Sequence, residues 1–206
     1  MEDILEVYHR PYNPEFPVVC MDESSKQLIG EVAAPIGMTD THCQLVDHEY
    51  VRNGVATIFV EVEPLAGRRH IKITKRRTAT DWALFIKEML NERYPNATKV
   101  ILVLDNLNIH KIASLYKTFP AQEARELADR LELHFTPIHG SWLNISEIQL
   151  SVLNSQCLNR RIEDQETIIS EVNQWQLCRN NKKANIDWQF TNEKARIKRK
   201  RLYPKI

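Results

Sequence analysis

The sequence predicts an α/β domain: a mixed five-stranded sheet with helices on both faces. Three observations lead there. Val100-Ile101-Leu102-Val103-Leu104 is an unbroken run of apolar β-formers, so this strand leaves no face wet and lies inside a covered sheet. Residues 81–92 change to a helical period, with Trp82, Phe85, Ile86, Met89 and Leu90 along one stripe. The elements then read β, β, β, α, β, α, β, α, in which three strands precede two that alternate with helices. That order lets the first strand lie beside the fourth.

Residues 1–15 read as a lead-in, because Pro11 and Pro14 disfavour continued helix. The first strand covers about 17–22 and ends in Asp22. Residues 23–49 are polar and irregular, broken by Gly30, Pro35 and Gly37. Residues 54–63 form a second strand, Pro64 through Gly67 turn the chain, and 68–75 alternate as the third strand of a hairpin. Thr80 or Asp81 can cap the helix at 81–92. After the strand ending at Asp105, Ile112, Leu115, Tyr116 and Phe119 mark a short helix that Pro120 stops. Ala124, Leu127, Ala128 and Leu131 mark another, and Leu131 to Thr136 alternates as the fifth strand. Helices follow at about 145–157 and 165–180, with a basic one near 192–201. The expected division is a lead-in over 1–15, a folded domain over 16–182 and a basic extension over 183–206.

At 206 residues the chain is one domain of ordinary size, and 43% hydrophobic content suffices for a core. No run of about 18 apolar residues exists, which excludes a membrane-spanning helix. The acidic start, Met1-Glu2-Asp3-Ile4-Leu5, lacks the layout of a signal peptide, so the cytoplasm is the expected location. Cys20, Cys43, Cys157 and Cys178 are scattered without a Cys-x-x-Cys pair, which argues against a zinc ribbon or redox motif and for free buried thiols. The net charge of +1 hides two basic blocks: six Lys or Arg without an acid over 67–78, and seven over 194–205. Such blocks on a nearly neutral chain suggest contact with a polyanion.

Three carboxylates stand where chemistry is expected. Asp105 closes a buried strand, the edge at which open α/β sheets place their sites. Asp22 closes the first strand. Glu147 opens the helix after Ser141-Trp142-Leu143-Asn144. Three acids on three rigid elements suit a divalent-metal site, since hard cations take oxygen ligands. Each has a plainer reading. Asp105-Asn106 is also turn chemistry. Asp22 and Glu23 point to opposite faces, so one of them is expected to be solvated. Asn144-Ile145-Ser146-Glu147 has the form of a capping box. His110 and His139 could orient a phosphate, although loop and cap roles are commoner. Trp142 could stack on a base, although a staple for the following helix is the better expectation.

Val19-Cys20-Met21-Asp22-Glu23, Leu104-Asp105-Asn106-Leu107-Asn108-Ile109-His110 and the stretch from Thr136 to Glu147 together resemble the catalytic domain of insertion-sequence transposases. The group resembled is the IS630 family of the Tc1/mariner superfamily of DDE enzymes. The similarity continues into Trp188-Gln189-Phe190-Thr191 and Arg201-Leu202-Tyr203-Pro204. It implies an RNase H-like fold, with Asp22 rather than Glu23, Asp105 and Glu147 as catalytic metal ligands. It implies two Mg²⁺ ions, with Mn²⁺ able to substitute. The implied activity is cleavage of DNA at transposon ends and joining to target DNA at TA sites. Asn106, His110, His139 and Asn144 fall inside the matched motifs as candidates to support the ligands or orient substrate. Arg68, Arg69, Lys72, Lys75, Arg76, Arg77, Lys198, Arg199, Lys200 and Arg201 are the candidate DNA contacts.

The 41 residues between Asp105 and Glu147 exceed the usual interval of the superfamily, and the excess is expected in the helix at 121–131. Family members begin with helix-turn-helix modules that bind the element's ends, and nothing before Asp22 has room for one. The chain therefore reads as the catalytic half, with end recognition absent or on a separate chain, and a homodimer is compatible with this. A catalytically idle remnant that binds DNA or a partner protein is one alternative. A host RNase H-like nuclease is another.

Overall fold

A computed structural model describes residues 1–202. One five-stranded sheet has the order β3-β2-β1-β4-β5. β1 (Val18–Glu31), β2 (Tyr50–Glu63) and β3 (Arg68–Thr74) form an antiparallel meander, and β4 (Val100–Leu104) and β5 (Leu131–Phe135) join β1 in parallel. The first strand thus lies beside the fourth, as the element order predicts. On one face lie α2 (Ala79–Glu88), α3 (Ile112–Thr118) and α4 (Ala121–Asp129). On the other lie α1 (Glu2–Tyr8), α5 (Ile145–Leu153), α6 (Gln165–Asn181) and α7 (Asn192–Lys198). Single π-helical turns, Met89–Arg93 and Asn154–Leu158, extend α2 and α5. No helix among the described residues is long and apolar enough to cross a membrane.

The pleat sorts side chains between the two faces. Val19, Met21, Phe59, Leu102 and Leu104 pack with Trp82, Phe85, Ile86 and Leu115. Cys20, Ile101 and Val103 pack with α1, Leu143 and Ile145, while Ala56, Ile58, Val60 and Val62 meet α6 through Ile168 and Val172. β4 serves both layers, which is why its sequence is apolar without alternation. Each such Leu, Ile or Val fully buried contributes about 1.5–3 kcal/mol.

Four expectations need correction. The first strand does not end at Asp22: Glu23–Glu31 continue it, paired with β2 from Glu23↔Phe59 to Glu31↔Tyr50. Backbone ladder bonds are indifferent to side-chain polarity, and the outer part of this ribbon projects beyond the helices, leaving Tyr50, Val51 and Val55 exposed. Irregularity is confined to 32–49, with isolated bridges Ile36↔Leu45 and Thr39↔His42. The helix α2 is capped by Thr78 in a full capping box with Asp81, not by Thr80 or Asp81.

The third correction concerns both ends of the chain. Residues 1–15 are not a lead-in, since Pro11 and Pro14 fall after α1 and Ile4, Leu5 and Val7 are fully buried. Residues 183–206 are not a mere extension, since Ala195 of α7 is buried and Ile186, Trp188 and Phe190 pack into the same cluster. Arg196 pairs with Glu2 through two bonds of 2.8 and 2.7 Å. Tyr203, Pro204 and Lys205, part of the matched motif and basic block, lie outside the described residues. Of the cysteines only Cys20 is buried; Cys43 and Cys178 are exposed and Cys157 is intermediate.

Candidate active site

The β1–β4 ladder runs Val18↔Ile101, Val19↔Leu102, Cys20↔Val103 and stops. Two residues further along each strand stand Asp22 and Asp105. Here the parallel strands part, and the carboxyl end of such strands is where open α/β sheets form a crevice. Helix α5 is brought to the same place by Asn144. Its fully buried amide donates from Nδ2 to the Met21 carbonyl (2.8 Å) and accepts at Oδ1 from the Ser146 N–H (3.2 Å) and hydroxyl (2.6 Å). One side chain thus caps α5 and fixes it to the residue before Asp22. Glu147 lies in the first turn but does not complete a capping box, because the Asn144 N–H donates to Ser141 O instead (2.7 Å). Among the described residues nothing donates a hydrogen bond to its carboxylate, so helix capping does not account for this acid.

Asp22 is 9% exposed, and its Oδ1 accepts from the Glu23 N–H at 2.8 Å. Burial pushes its pKa up to about 7, and the charges of Asp105, Glu23 and Glu147 push in the same direction against that hydrogen bond. Asp105 and Glu147 therefore stand near enough for their charges to act on Asp22, and no cation among the described residues pairs with it. Their oxygens do not close into a cage: among the described residues no group of three His, Cys, Asp or Glu is drawn together tightly enough to hold an ion.

The expectation that either Asp22 or Glu23 is solvated fails. Both are buried, because helices cover both faces of β1. Glu23 Oε1 lies 2.8 Å from Nε2 of His110, which is itself fully buried. The other nitrogen of that ring, Nδ1, lies 2.7 Å from Asp105 Oδ1. Burial pulls the His110 pKa down, but the two carboxylates outweigh it and raise it to about 9, so both nitrogens carry protons at neutral pH. Asp105 is held below the usual carboxylate range by His110 first, with help from the Leu107 N–H (3.1 Å) and the Arg77 charge. Trp82 backs the imidazole with ring centroids 5.9 Å apart. Glu23 is the residue that sequence reasoning missed. The signal was present, since an acid in a strand covered on both faces has no solvated side to take.

The other candidates divide. Asn106 donates from Nδ2 to Thr136 O and ties the end of β4 to that of β5. His139 is exposed, in a left-handed backbone conformation with φ 60°, and joins none of these contacts. Trp142 stays exposed, with Arg199 over its ring at 4.9 Å and Phe190 at its edge. Arg69 cannot contact DNA as expected: it is 3% exposed, turned inward beneath α6, and donates to Ala184 O. Lys72 pairs with Glu88. Arg68, Lys75, Arg76 and Arg77 are exposed, as are Lys198, Arg199, Lys200 and Arg201.

A family model described as DDE superfamily endonuclease matches residues 17–169, which include all three carboxylates. Solved structures share the fold. A Mos1 mariner paired end complex with Mn aligns with TM-score 0.61 and 14% identity over 89% of this chain and 54% of that one. A Mos1 transposase paired-end complex with left transposon end gives 0.57 and 13%, over 85% and 53%. The Mos1 Strand Transfer Complex gives 0.54 and 12%, over 86% and 55%. This chain spans about half the length of those it matches. No curated protein matches. The sheet order and these alignments make the fold RNase H-like, and with a family match over most of its length the chain belongs to the DDE superfamily of endonucleases.

Proposed function

We propose that this chain is the catalytic domain of a DNA transposase, cutting and joining phosphodiesters with divalent ions held by Asp22, Asp105 and Glu147. The observation that carries the reading is Asp22: a buried carboxylate with acidic neighbours on two other elements and no cation of its own. An all-oxygen donor set with uncompensated negative charge fits a hard divalent cation, Mg²⁺ with Mn²⁺ as substitute. Bound there, such ions would activate an attacking oxygen and stabilise the leaving one.

The chain's own residues do the rest. Asn144 fixes the helix that bears Glu147 against the strand that bears Asp22. His110 holds one oxygen of Asp105. Arg77, exposed on the turn between β3 and α2 and felt by Asp105, would meet a phosphate approaching that carboxylate, with Lys75 and Arg76 beside it. The substrates are transposon ends and target DNA, TA sites first among the targets. End recognition by a helix-turn-helix region and action as a dimer belong to the same proposal.

The test is Mg²⁺- or Mn²⁺-dependent nicking of DNA. Asp22→Ala, Asp105→Ala and Glu147→Ala should each lower the rate at least ~100-fold, since a site built on metal-held oxygens loses its charge stabilisation with any ligand. Full activity in Asp105→Ala sinks the assignment. Strand-transfer products from DNA with free 3′ ends separate a transposase from a simple nuclease.

A further inference from the structure

We propose that Glu23 and His110 form a buried clamp that sets the Asp105 carboxylate in place, with Glu23 acting at one remove through the imidazole. The inference rests on the metal-dependent reading above. Three observations carry it. His110 is fully buried, and each ring nitrogen meets a carboxylate from a different strand region: Glu23 at 2.8 Å and Asp105 at 2.7 Å. The Glu23 side chain is 1% exposed and, among the described residues, His110 is its only partner. Asp105 has its oxygens divided: Oδ1 accepts from the Leu107 N–H and is ion-paired with His110 Nδ1, whose hydrogen-bonded contact is the Asp105 carbonyl oxygen at 3.4 Å, and Oδ2 has no partner among the described residues.

That division is what a ligand carboxylate needs. The terminal torsion of an aspartate is soft, so an unrestrained Asp105 would present either oxygen over a broad arc. The Leu107 N–H and the imidazolium charge, both on Oδ1, choose the oxygen left over. An imidazole held at one nitrogen only could still swing, whereas Glu23 at the far nitrogen and Trp82 against the ring fix its plane. Outer partners that orient a ligand in this way commonly govern metal affinity. The clamp also spans a gap in the sheet. Backbone pairing between β1 and β4 has ended at Cys20↔Val103, and beyond it the contacts from Glu23 through His110 to Asp105 bridge the two strands. His110 and Glu23 are thus positioning residues, not catalytic ones.

Two substitutions take the clamp apart from opposite sides. His110→Gln places an amide N–H near the Nε2 position and keeps Glu23 while releasing Asp105. His110→Asn places one near Nδ1 and keeps Asp105 while releasing Glu23. Mn²⁺ binding to the full chain without DNA, measured by calorimetry beside a thermal melt, should weaken about 10–100-fold in His110→Gln. His110→Asn should recover a substantial part of that loss. In nicking assays the defect should lie in the Mn²⁺ concentration needed more than in the rate at saturation. A merely structural role would lower Tm in both variants without this order of affinities. If the His110 variants do not fold, Glu23→Ala carries the same test and should bind Mn²⁺ several-fold more weakly.

Unchanged Mn²⁺ affinity in folded His110→Gln, or equal affinities in the Gln and Asn variants, overturns the clamp. Asp105→Ala distinguishes the two levels of failure. If it binds Mn²⁺ as wild type does, the metal reading falls and the clamp with it. If it loses Mn²⁺ while His110→Gln does not, the clamp alone falls.

Discussion

Two carboxylates sunk into the same sheet reach the same pKa by different routes. Glu61 on β2 is 2% exposed and Asp22 on β1 is 9% exposed, and burial lifts each to about 7. Glu61 has a cation: Arg93 Nε donates to its Oε1 at 2.8 Å, and Nη2 stands 2.8 Å from Oε2 as an ion pair without hydrogen-bond alignment. That pair fastens the π-helical turn after α2 to the sheet. Asp22 has only a backbone N–H, and its charged neighbours are acids. One region is closed and serves the fold. The other carries a charge deficit, maintained at the expense of stability, that a bound cation would fill.

The largest expected effect tests the closed side. Glu61→Ala takes from the mostly buried Arg93 its paired carboxylate, which should cost roughly 3 kcal/mol and lower Tm by about 6–12 °C. The opposite sign is expected at Asp22. Asp22→Asn removes a buried charge that nothing compensates, so the metal-free protein at pH 8 should melt roughly 2–6 °C higher while losing nicking activity. A lower Tm in Asp22→Asn would show that some group of the protein already neutralises this acid.

Next in size is the pH dependence of the metal-free protein. Carboxylates lifted to about 7 in the fold hold protons that the unfolded chain releases near pH 4, so Asp22 and Glu61 lose stability as pH rises through that window. His110, raised to about 9, contributes stability that is complete below about pH 6.5 and is lost as pH rises through 9. Tm should therefore decline from pH 5 to 9. Asp22→Asn should flatten the lower part of that decline and leave the upper part. Added Mn²⁺ should raise Tm more at pH 8 than at pH 5.5, because protons compete for the same oxygens. An equal rise at both pH values would place the ion elsewhere.

The smallest effect on stability belongs to exposed cations. Neutral substitutions at Lys198, Lys200 and Arg201 should leave Tm unchanged. If the block contacts phosphates, they should lower the slope of log affinity for DNA against log salt by about 2–3. An unchanged slope would mean that these charges are only solvated.

What the sequence disclosed follows from what kind of interaction each feature depends on. Asp105 was legible because β4 is fully buried and its apolar run is a local signal. Glu147 could be singled out as the opening of a helix and as a motif position, whereas Asp22, which lies inside β1, could be singled out by its motif alone. For Glu23 the strand gave a sign of burial but not its partner, a histidine 87 positions away. The two chain ends failed for the same reason: Arg196 finds Glu2 across 194 positions, and no local period announces that α1 is buried beneath α7. Arg69 was misassigned because strand alternation gives two faces and does not say which one a helix will cover.

Asn144 has a consequence for how such a domain tolerates change in length. The separation of Asp22 and Glu147 in space is closed by one amide bonding to the Met21 carbonyl, not by the run of chain that connects β4 to α5. Length changes confined to the connection between α3 and α4 should leave the third carboxylate in place, provided the chain still delivers an asparagine to that carbonyl. Insertions at that connection should be neutral to the geometry of the site. The single exchange Asn144→Asp, which sets a carboxylate against a carbonyl oxygen, should disturb it more than a whole added turn of helix.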